Sequence, residues 1–328
     1  MRRQPTFHDL RIGRQIRISC VFLATLVLTC STAFGWGCDG HQTVAAIAFK
    51  HLDSNVKVRS LELLQHLPRD VQIPHYCKES GLNLFVDVST WADDIRTKRP
   101  ETGQWHFIDL PLGTDRPDLK FCDGPSGCVI SAIQRQASVL RNPSAPPAAK
   151  AMALLFLIHL VGDLHQPLHA TTNNDRGANC VPVRFFGVAP NEQPPGTWKP
   201  NLHGVWDTEQ EQKAMNGRSV MQFAEYLDSS FSMQVHNELS HPVNIFNWTW
   251  QSHRLGVRVA YGTLPVPVVS EPPIPISSCT DDNNVGQRMS NLHESIDLSY
   301  FGHSEPVIEL QLVRAGTRLA VMINSLLQ

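Results

Sequence analysis

The sequence has no excess of positive charge. Its 328 residues include 28 Lys and Arg against 30 Asp and Glu, a formal net charge of −2. Residues 1–35 carry five Arg and one Asp, a charge of +4, so the chain without them carries −6. An acidic protein does not bind nucleic acid mainly through a basic surface. Any attraction to phosphate must come from elsewhere, and metal ions are one candidate.

The N-terminus lacks an apolar run long enough for a typical membrane span. Residues 18–28 are apolar but too short, and five Arg precede them. Ala33-Phe34-Gly35 has the small-x-small pattern of a signal-peptide cleavage site. The sequence therefore predicts a secretory signal over residues 1–35 and a mature domain over residues 36–328. The mature protein is expected to be secreted or periplasmic, without a membrane anchor.

The sequence also lacks an internal repeat and a linker between domains. Helical spacing of apolar residues predicts helices over residues 43–52, 56–67, 126–140, 148–164, 219–228 and 250–261. A last helix is predicted over residues 307–327, with Ser304 as its N-cap and Pro306 in its first turn. The apolar run at residues 181–186 could be a strand of a short β-hairpin near residues 181–200. The predicted fold is one mostly α-helical domain.

Cysteine is scarce, but its number in the predicted mature chain is even. The six residues are Cys38, Cys77, Cys122, Cys128, Cys180 and Cys279. An even number in an exported protein indicates disulfides. Cys122 and Cys128 are close in sequence, with Gly and Pro between them, and are expected to pair locally. The other four cysteines allow three pairings.

A long apolar stretch, residues 148–164, carries two polar residues on one helix face. His159 and Asp163 are four residues apart and project from the same side. Pro167 ends the helix, and His169 follows on the exit turn. Burial of an imidazole and a carboxylate without a partner is costly, and one metal ion would serve both. The alternative is a His–Asp hydrogen bond inside a helical core.

Other imidazoles and carboxylates occur in similar pairs and triplets, and His203 and Asp207 repeat the four-residue spacing. The candidate ligands are His41, Asp93, His106, His159, Asp163, His169, His203 and Asp207. Eight side chains are too many for one zinc ion and suit two or three. Export and the histidine content favour zinc. His165 projects from a different face than Asp163 and is interpreted as structural.

Five motifs in this order resemble the zinc-dependent single-strand nucleases, which include fungal S-one/P-one type nucleases, plant bifunctional nucleases and bacterial relatives. They are Trp-Gly-x-x-Gly-His from Trp36, Trp-Ala-Asp-x-Ile-Arg from Trp91, His-Phe-Ile-Asp from His106, His-x3-Asp-x5-His from His159 and Asn-Leu-His-x3-Asp from Asn201. The resemblance implies a helical fold shared with zinc-dependent phospholipase C. It also implies a monomeric enzyme, without a stable protein partner, that hydrolyses single-stranded DNA and RNA to 5′-phosphate products and acts on 3′-nucleotides.

The same resemblance implies ligands for three zinc ions. The first set is Asp93, His106, His159 and Asp163; the second is His41, Asp163 and the free amine and carbonyl of Trp36; the third is His169, His203 and Asp207. Asp163 would bridge the first two ions, where a metal-bridging hydroxide would be the nucleophile. The amine of Trp36 is free only if cleavage occurs directly before it.

The remaining site residues also follow from the resemblance. Asp93, Arg96 and Asp163 would be catalytic, with Arg96 stabilising the charge on phosphate in the transition state. Phe107 would stack on a base and Asp109 would hydrogen-bond it. Asn179 would lie near the scissile phosphate, although this chain has Gly-Ala-Asn where the family has Gly-Gly-Asn.

Two alternative functions compete with a nuclease. A zinc-dependent phospholipase C resembles the same fold and also uses an N-terminal Trp, but that family tends to carry Glu at the position of Asp207. The non-enzymatic alternative is a secreted helical protein whose zinc ions are structural. Structural zinc sites are usually closed and rich in Cys, whereas the candidate ligands here are His and Asp.

Overall fold

The protein is built from α-helices joined by 3₁₀ and π-helical segments and by a few short strands, which confirms the predicted mostly α-helical fold. The computed structural model describes residues 35–68, 76–193, 195–270, 278–280 and 294–328. All of them belong to one unit, Ala33–Gln328. The predicted signal peptide lies outside the described residues except for Gly35.

The α-helices follow one another along the whole described chain. In chain order they are α1 (Cys38–His51), α2 (Ser54–Leu64), α3 (Leu84–Asp87), α4 (Trp91–Ile95), α5 (Val129–Arg141), α6 (Pro147–His165), α7 (Leu202–Gly204), α8 (Gln210–Met215), α9 (Val220–Ser230), α10 (Ser232–Leu239), α11 (Ile245–Leu255) and α12 (Leu298–Leu327). The 3₁₀ segments are Val88–Thr90, Pro100–His106, Leu119–Cys122 and Pro167–His169, and the π-helical segments are Val205–Glu209 and Gly256–Tyr261.

Helix α6 is the centre of the fold. Every residue from Ala153 to His165 is buried, and α6 packs against α1, α2, α4, α5, α11 and α12. A helix that is apolar on all sides is stable in water only when other elements surround it. Its length and composition would also suit a membrane span, but 72% of its most apolar window is buried inside the protein. This burial is the pattern of a core helix.

Helix α12 is longer than the sequence predicted. Its N-cap is Asp297, whose carboxylate accepts a hydrogen bond from the amide two residues later, and Pro306 lies inside the helix. The prediction of Ser304 as the N-cap is therefore wrong. Tertiary contacts stabilise the additional N-terminal turns, since Tyr300 is buried and its hydroxyl accepts a hydrogen bond from the indole of Trp206 at 2.8 Å.

The short strands form two pairs. Strands β2 (Asn191–Glu192) and β3 (Trp198–Lys199) are antiparallel and form a hairpin within the predicted range 181–200. The apolar run at residues 181–186 contributes β1 (Val183–Phe185), which pairs in parallel with the distant β4 (Glu294–Ile296). Its apolar residue Val183 is fully buried, as is Ile296 of β4. Local spacing cannot show a partner that far along the chain.

Three disulfides lie in the described part of the chain. Cys122 and Cys128 are bonded to each other, which confirms the expected local pair. Cys38 pairs with Cys77, and Cys180 pairs with Cys279. The first of these long-range bonds ties the start of α1 to the segment that precedes α3, and α1 carries one of the predicted metal ligands.

Candidate metal centre

The predicted ligands converge at the C-terminal half of α6 from seven elements of the fold. Their nitrogen and oxygen atoms form three buried groups, each within 4.8 Å. The groups are His41, His159 and Asp163; Asp93, His106 and His159; and His169, His203 and Asp207. The structure thus brings together all eight side chains that the sequence singled out.

Asp163 connects two of the groups because its two oxygens face different imidazoles. Oδ2 lies 2.8 Å from His106 Nδ1 and 3.1 Å from His159 Nε2. Oδ1 lies 3.3 Å from His41 Nε2. The side chain is fully buried, so its negative charge needs compensation from inside the protein.

Asp93 of α4 completes the second group, and Arg96, directly after α4, borders it. Asp93 Oδ1 is 3.5 Å from His106 Nδ1, and Oδ2 is 3.6 Å from His159 Nε2. The Arg96 guanidinium donates to Asp93 Oδ1 at 3.2 Å and keeps 14% of its side chain exposed. A fixed cation therefore lies at the edge of the ligand cluster, between it and solvent.

The third group comes from the 3₁₀ segment after α6, from α7 and from the π-helical segment that follows α7. His169 Nε2 lies 3.2 Å from His203 Nε2, and Asp207 Oδ2 lies 3.4 Å from the same His203 atom. The amide of Gln166 donates to Asp207 Oδ1 at 2.5 Å. Gln166 thereby fixes the carboxylate of the third group, a role that sequence spacing did not indicate.

Backbone carbonyls set the tautomers of three histidines. Nδ1 of His159 faces the Ser89 carbonyl at 2.7 Å, and Nδ1 of His169 faces the His106 carbonyl at 2.8 Å. Nδ1 of His203 faces the Gly177 carbonyl at 2.5 Å. A carbonyl only accepts, so Nδ1 carries a hydrogen, and in the neutral ring Nε2 then keeps its lone pair. This is how metal-binding histidines are usually oriented.

The donor set fits a cation. In the neutral tautomers just assigned, the Nε2 lone pairs of His169 and His203 repel each other at 3.2 Å unless a positive charge lies between them. Burial and the His169 imidazole lower the pKa of His203 to about 3, so His203 is neutral at pH 7. Burial alone would lower the pKa of His159, but Asp163 and Asp93 raise it to about 9, which shows that the carboxylates attract positive charge.

Several ligand atoms have no hydrogen-bond partner within the described chain. They are both ring nitrogens of His41, Nε2 of His106 and Oδ1 of Asp163. Each unsatisfied buried polar atom costs about 1–3 kcal/mol. Burial lowers the pKa of His41 to about 4, so protonation does not supply the missing charge. Metal coordination would satisfy the Asp163 oxygen and one His41 nitrogen together.

Gly162 of α6 has no side chain and so leaves space for the His41 ring of α1. The His41 ring stacks on His159 with centroids 3.9 Å apart, and a Cβ at position 162 would lie 3.0 Å from His41 Nδ1. Gly162 was not among the residues predicted from the sequence. Glycine is unfavourable in the middle of a helix unless close packing requires it. Its presence in this Leu-rich helix was therefore the sequence feature that could have identified Gly162.

The N-terminal end of the predicted mature chain lies at the same cluster. Trp36 is fully buried. A Cβ at Gly35 would lie 1.6 Å from Asp163 Oδ1, so only glycine is compatible with this position and its backbone lies directly against the carboxylate. The backbone nitrogen of Trp36, which follows Gly35, is therefore close to the group of His41 and Asp163.

The predicted base-binding residues follow His106 directly. Phe107 is extended and half-buried, and Asp109 is exposed. The Ile108 amide donates to the His169 carbonyl at 2.8 Å, so this segment runs beside the third group. The backbone that carries Phe107 and Asp109 therefore runs between His106 of the second group and His169 of the third.

Asn179 lies in a loop with unusual backbone geometry. Its side-chain amide donates to the Arg176 carbonyl at 2.8 Å. Residues 176–178 all have positive φ, including 69° at Ala178. Asp175 holds the loop, because its carboxylate accepts a hydrogen bond from the Tyr261 hydroxyl, whose oxygen lies 2.8 and 2.9 Å from the two carboxylate oxygens. The Asp175–Tyr261 pair was not predicted and has no local sequence signal, since the two residues meet only in the fold.

His165 lies away from the three groups. Its Nδ1 faces the Val161 carbonyl at 2.7 Å and its Nε2 faces the Arg318 guanidinium at 2.9 Å. Burial and Arg318 hold the pKa of His165 well below its usual range. These contacts agree with the structural interpretation of this histidine.

Comparison with known proteins gives a consistent result. The family model described as S1/P1 Nuclease matches residues 36–328. Nuclease S1 of Aspergillus oryzae is 29% identical over 95% of this chain and 97% of its own length. Nuclease P1 of Penicillium citrinum is 27% identical over 89% of this chain and 97% of its own length. Endonuclease 3 of Arabidopsis thaliana is 26% identical over 95% of this chain and 96% of its own length.

Proposed function

Because the chain belongs to the S1/P1 nuclease family, we propose that it is a zinc-dependent endonuclease that hydrolyses single-stranded DNA and RNA to 5′-phosphate products. It is a hydrolase of phosphodiester bonds, as its relatives are. The proposal extends to removal of phosphate from 3′-nucleotides, to three zinc ions per chain and to a monomeric protein.

The observation that carries the proposal is the position of Asp163 between two groups of imidazoles. One carboxylate faces His41 with Oδ1 and faces His106 and His159 with Oδ2. This arrangement suits two closely spaced ions, which phosphodiesterases use on the attacking and leaving oxygens. Bound zinc would supply positive charge at the phosphate and a water of lowered pKa.

The chain's own residues would orient the phosphate and compensate its charge. Arg96 is held by Asp93 at the edge of the cluster and can donate to a phosphate oxygen. Donors fixed before the reaction stabilise the charge that develops in the transition state. Asn179, whose amide nitrogen already bonds Arg176, would contribute through its remaining polar atoms.

Phe107 supports a preference for single strands. It is half-buried and directly follows the ligand His106, so its ring is available near the cluster. Stacking of one base on an aromatic ring contributes about 1–3 kcal/mol and depends little on sequence. A duplex hides its base faces, so only an unpaired strand can use this ring. Asp109 would accept hydrogen bonds from the stacked base.

Export and processing complete the proposed function. Removal of residues 1–35 would free the amine of Trp36 beside Asp163, and the three disulfides support an oxidising compartment outside the cytoplasm. Mass spectrometry of the exported protein should give a chain that starts at Trp36. An active, fully metallated protein with additional residues before Trp36 would contradict the processing step.

Activity on four substrates tests the function. The mature, zinc-loaded protein is incubated with single-stranded DNA, RNA, a 3′-nucleotide and a phosphatidylcholine emulsion, and its metal content is measured on the same sample. Cleavage of both nucleic acids to products with 5′-phosphates is expected. Cleavage of the lipid alone would instead support the phospholipase C alternative, and zinc binding without any hydrolysis would support a structural role.

A further inference from the structure

A two-residue turn at the end of β1 holds a phenylalanine in an unfavourable backbone conformation. The Phe185 amide donates to the Val188 carbonyl at 3.0 Å, and the Val188 amide donates back to the Phe185 carbonyl at 2.9 Å. The turn between them consists of Phe186 and Gly187, whose φ angles are 45° and 88°. Turns with two positive φ angles favour Asn-Gly. A bulky side chain is rare at such a position, and strain of this kind is retained mainly where the side chain has a function.

The Phe186 ring lies at the surface together with other exposed apolar side chains. Phe186 is 38% exposed, Val188 of the same turn is 62% exposed, and Leu298 of α12 is 70% exposed. The Phe186 amide donates to the Ile296 carbonyl at 3.0 Å, and the centroid of its ring lies 6.5 Å from that of Phe301. Leu298 lies one helical turn before Phe301 and so flanks Phe186. Phe186, Val188 and Leu298 therefore form one exposed apolar surface, the turn patch.

Two cations border the turn patch. The Lys213 ammonium lies over the Phe186 ring, 4.2 Å from its centroid. Arg184 of β1 is exposed, and its guanidinium donates to a carbonyl of the turn at 3.4 Å. Asp297, at the start of α12, is a neighbouring carboxylate, and one of its oxygens already accepts a hydrogen bond from a backbone amide of that helix. The border of the patch is therefore positive, although the mature chain as a whole is acidic.

We propose that the turn patch docks reversibly on the surface of a membrane that contains anionic lipids. Its apolar side chains would enter the boundary between headgroups and acyl chains, and Lys213 and Arg184 would contact lipid phosphates. Long cationic side chains suit this boundary, because their stems lie along apolar groups while their charges stay hydrated. A symmetric contact with a second copy is disfavoured, since it would bring the cations of two identical patches together. Docking requires no hydrolysis and is therefore independent of the proposed nuclease activity.

Co-sedimentation with vesicles tests the docking. The mature, zinc-loaded protein is mixed, at about 150 mM salt, with vesicles of phosphatidylcholine alone or with about 30% phosphatidylglycerol. The wild type should bind the mixed vesicles. Phe186→Asn should weaken this binding about 10- to 100-fold, because one buried aromatic side chain is lost. Asn suits the turn, so the melting temperature of this variant should equal or exceed that of the wild type. Lys213→Gln should weaken binding to the mixed vesicles about fivefold and leave binding to pure phosphatidylcholine unchanged.

A control and a second variant make the result specific. Met233→Ser is the matched control, because Met233 of α10 is 85% exposed and lies outside the turn patch, and it should bind as the wild type does. Leu298→Ser should weaken binding, and this variant decides if Phe186→Asn melts at a lower temperature. Wild-type protein that stays in the supernatant, or an equal loss of binding in Met233→Ser, would overturn the proposal. A dimer in sedimentation equilibrium that Phe186→Asn dissociates, without any vesicle binding, would also overturn it and assign the patch to a second copy.

Discussion

Replacement of Asp163 by Asn is expected to weaken two zinc sites at once. The carboxylate has two negatively charged acceptors, one 3.3 Å from His41 Nε2 and the other 2.8 Å from His106 Nδ1. An amide keeps one acceptor and turns an NH₂ group towards the other set of ligands. No rotation of the Asn side chain can therefore serve both groups.

The size of the effect follows from the burial of the site. Asp163 is fully buried, and removal of one partner from a buried charged pair costs about 3–5 kcal/mol. At about 1.4 kcal/mol for each factor of ten, each of the two sites should lose a hundred- to several thousand-fold in zinc affinity. After gel filtration in a weak chelator, the variant should keep about one zinc ion per chain, at the third group.

Two further variants make the measurement specific. Asp207→Asn changes a carboxylate of the third group alone and should lose only one ion. Asp228→Asn changes a carboxylate that pairs with Lys50 and His51 outside the three groups and should lose none. Circular dichroism checks that each variant is folded. Full zinc content together with near wild-type activity in Asp163→Asn would refute the bridging role.

Three other substitutions test the proposed base-stacking residue, the packing around His41 and the protonation of a buried carboxyl group. Phe107→Ala should raise KM for short single strands by about tenfold for each roughly 1.4 kcal/mol of stacking free energy that is lost, and it should leave zinc content and melting temperature unchanged. If the variant instead loses about 3–5 kcal/mol of stability and keeps its KM, Phe107 is a core residue. Gly162→Ala should lower zinc content and activity because the new Cβ would lie 3.0 Å from His41 Nδ1. A change from Gly to Ala in a helix usually increases stability by about 1 kcal/mol, and such an increase together with full zinc content would contradict this prediction. Glu211 is fully buried with neither oxygen hydrogen-bonded in the described chain, and burial raises its pKa well above the ordinary 4.5. Its ionisation therefore opposes folding as pH rises, so Glu211→Gln should stabilise the fold by about 1–3 kcal/mol at pH 7 and not at pH 4, whereas destabilisation at pH 7 would indicate that Glu211 pairs with a cation in the mature chain.

Local patterns in the sequence were sufficient to predict the central helix and to select His159 and Asp163, two of the eight side chains that the structure brings together. An unbroken apolar run can only be stable when buried, and two polar residues four positions apart within it need a common partner; both arguments hold for His159 and Asp163 without any tertiary information. The motifs shared with a known family then linked these two residues to His41 and Asp93.

Features that depend on distant contacts could not be predicted. Nothing near Val183 in the chain indicates that its strand pairs with residues 294–296. The start of α12 was misplaced because a proline is usually read as a first-turn residue, whereas here burial of Tyr300 stabilises the helical turns that precede Pro306. The carbonyls that fix the histidine tautomers belong to Ser89 and Gly177, and a backbone acceptor has no sequence signature.

The distribution of the ligands along the chain affects when the protein can become active during its synthesis. Each of the three groups includes a residue of α6 or of the turn that follows it, so none is complete before the ribosome has passed His159. The third group also needs His203 and Asp207, and the first lies against the backbone of Gly35. A nascent chain therefore cannot assemble the complete set of candidate ligands until Asp207 has been synthesised.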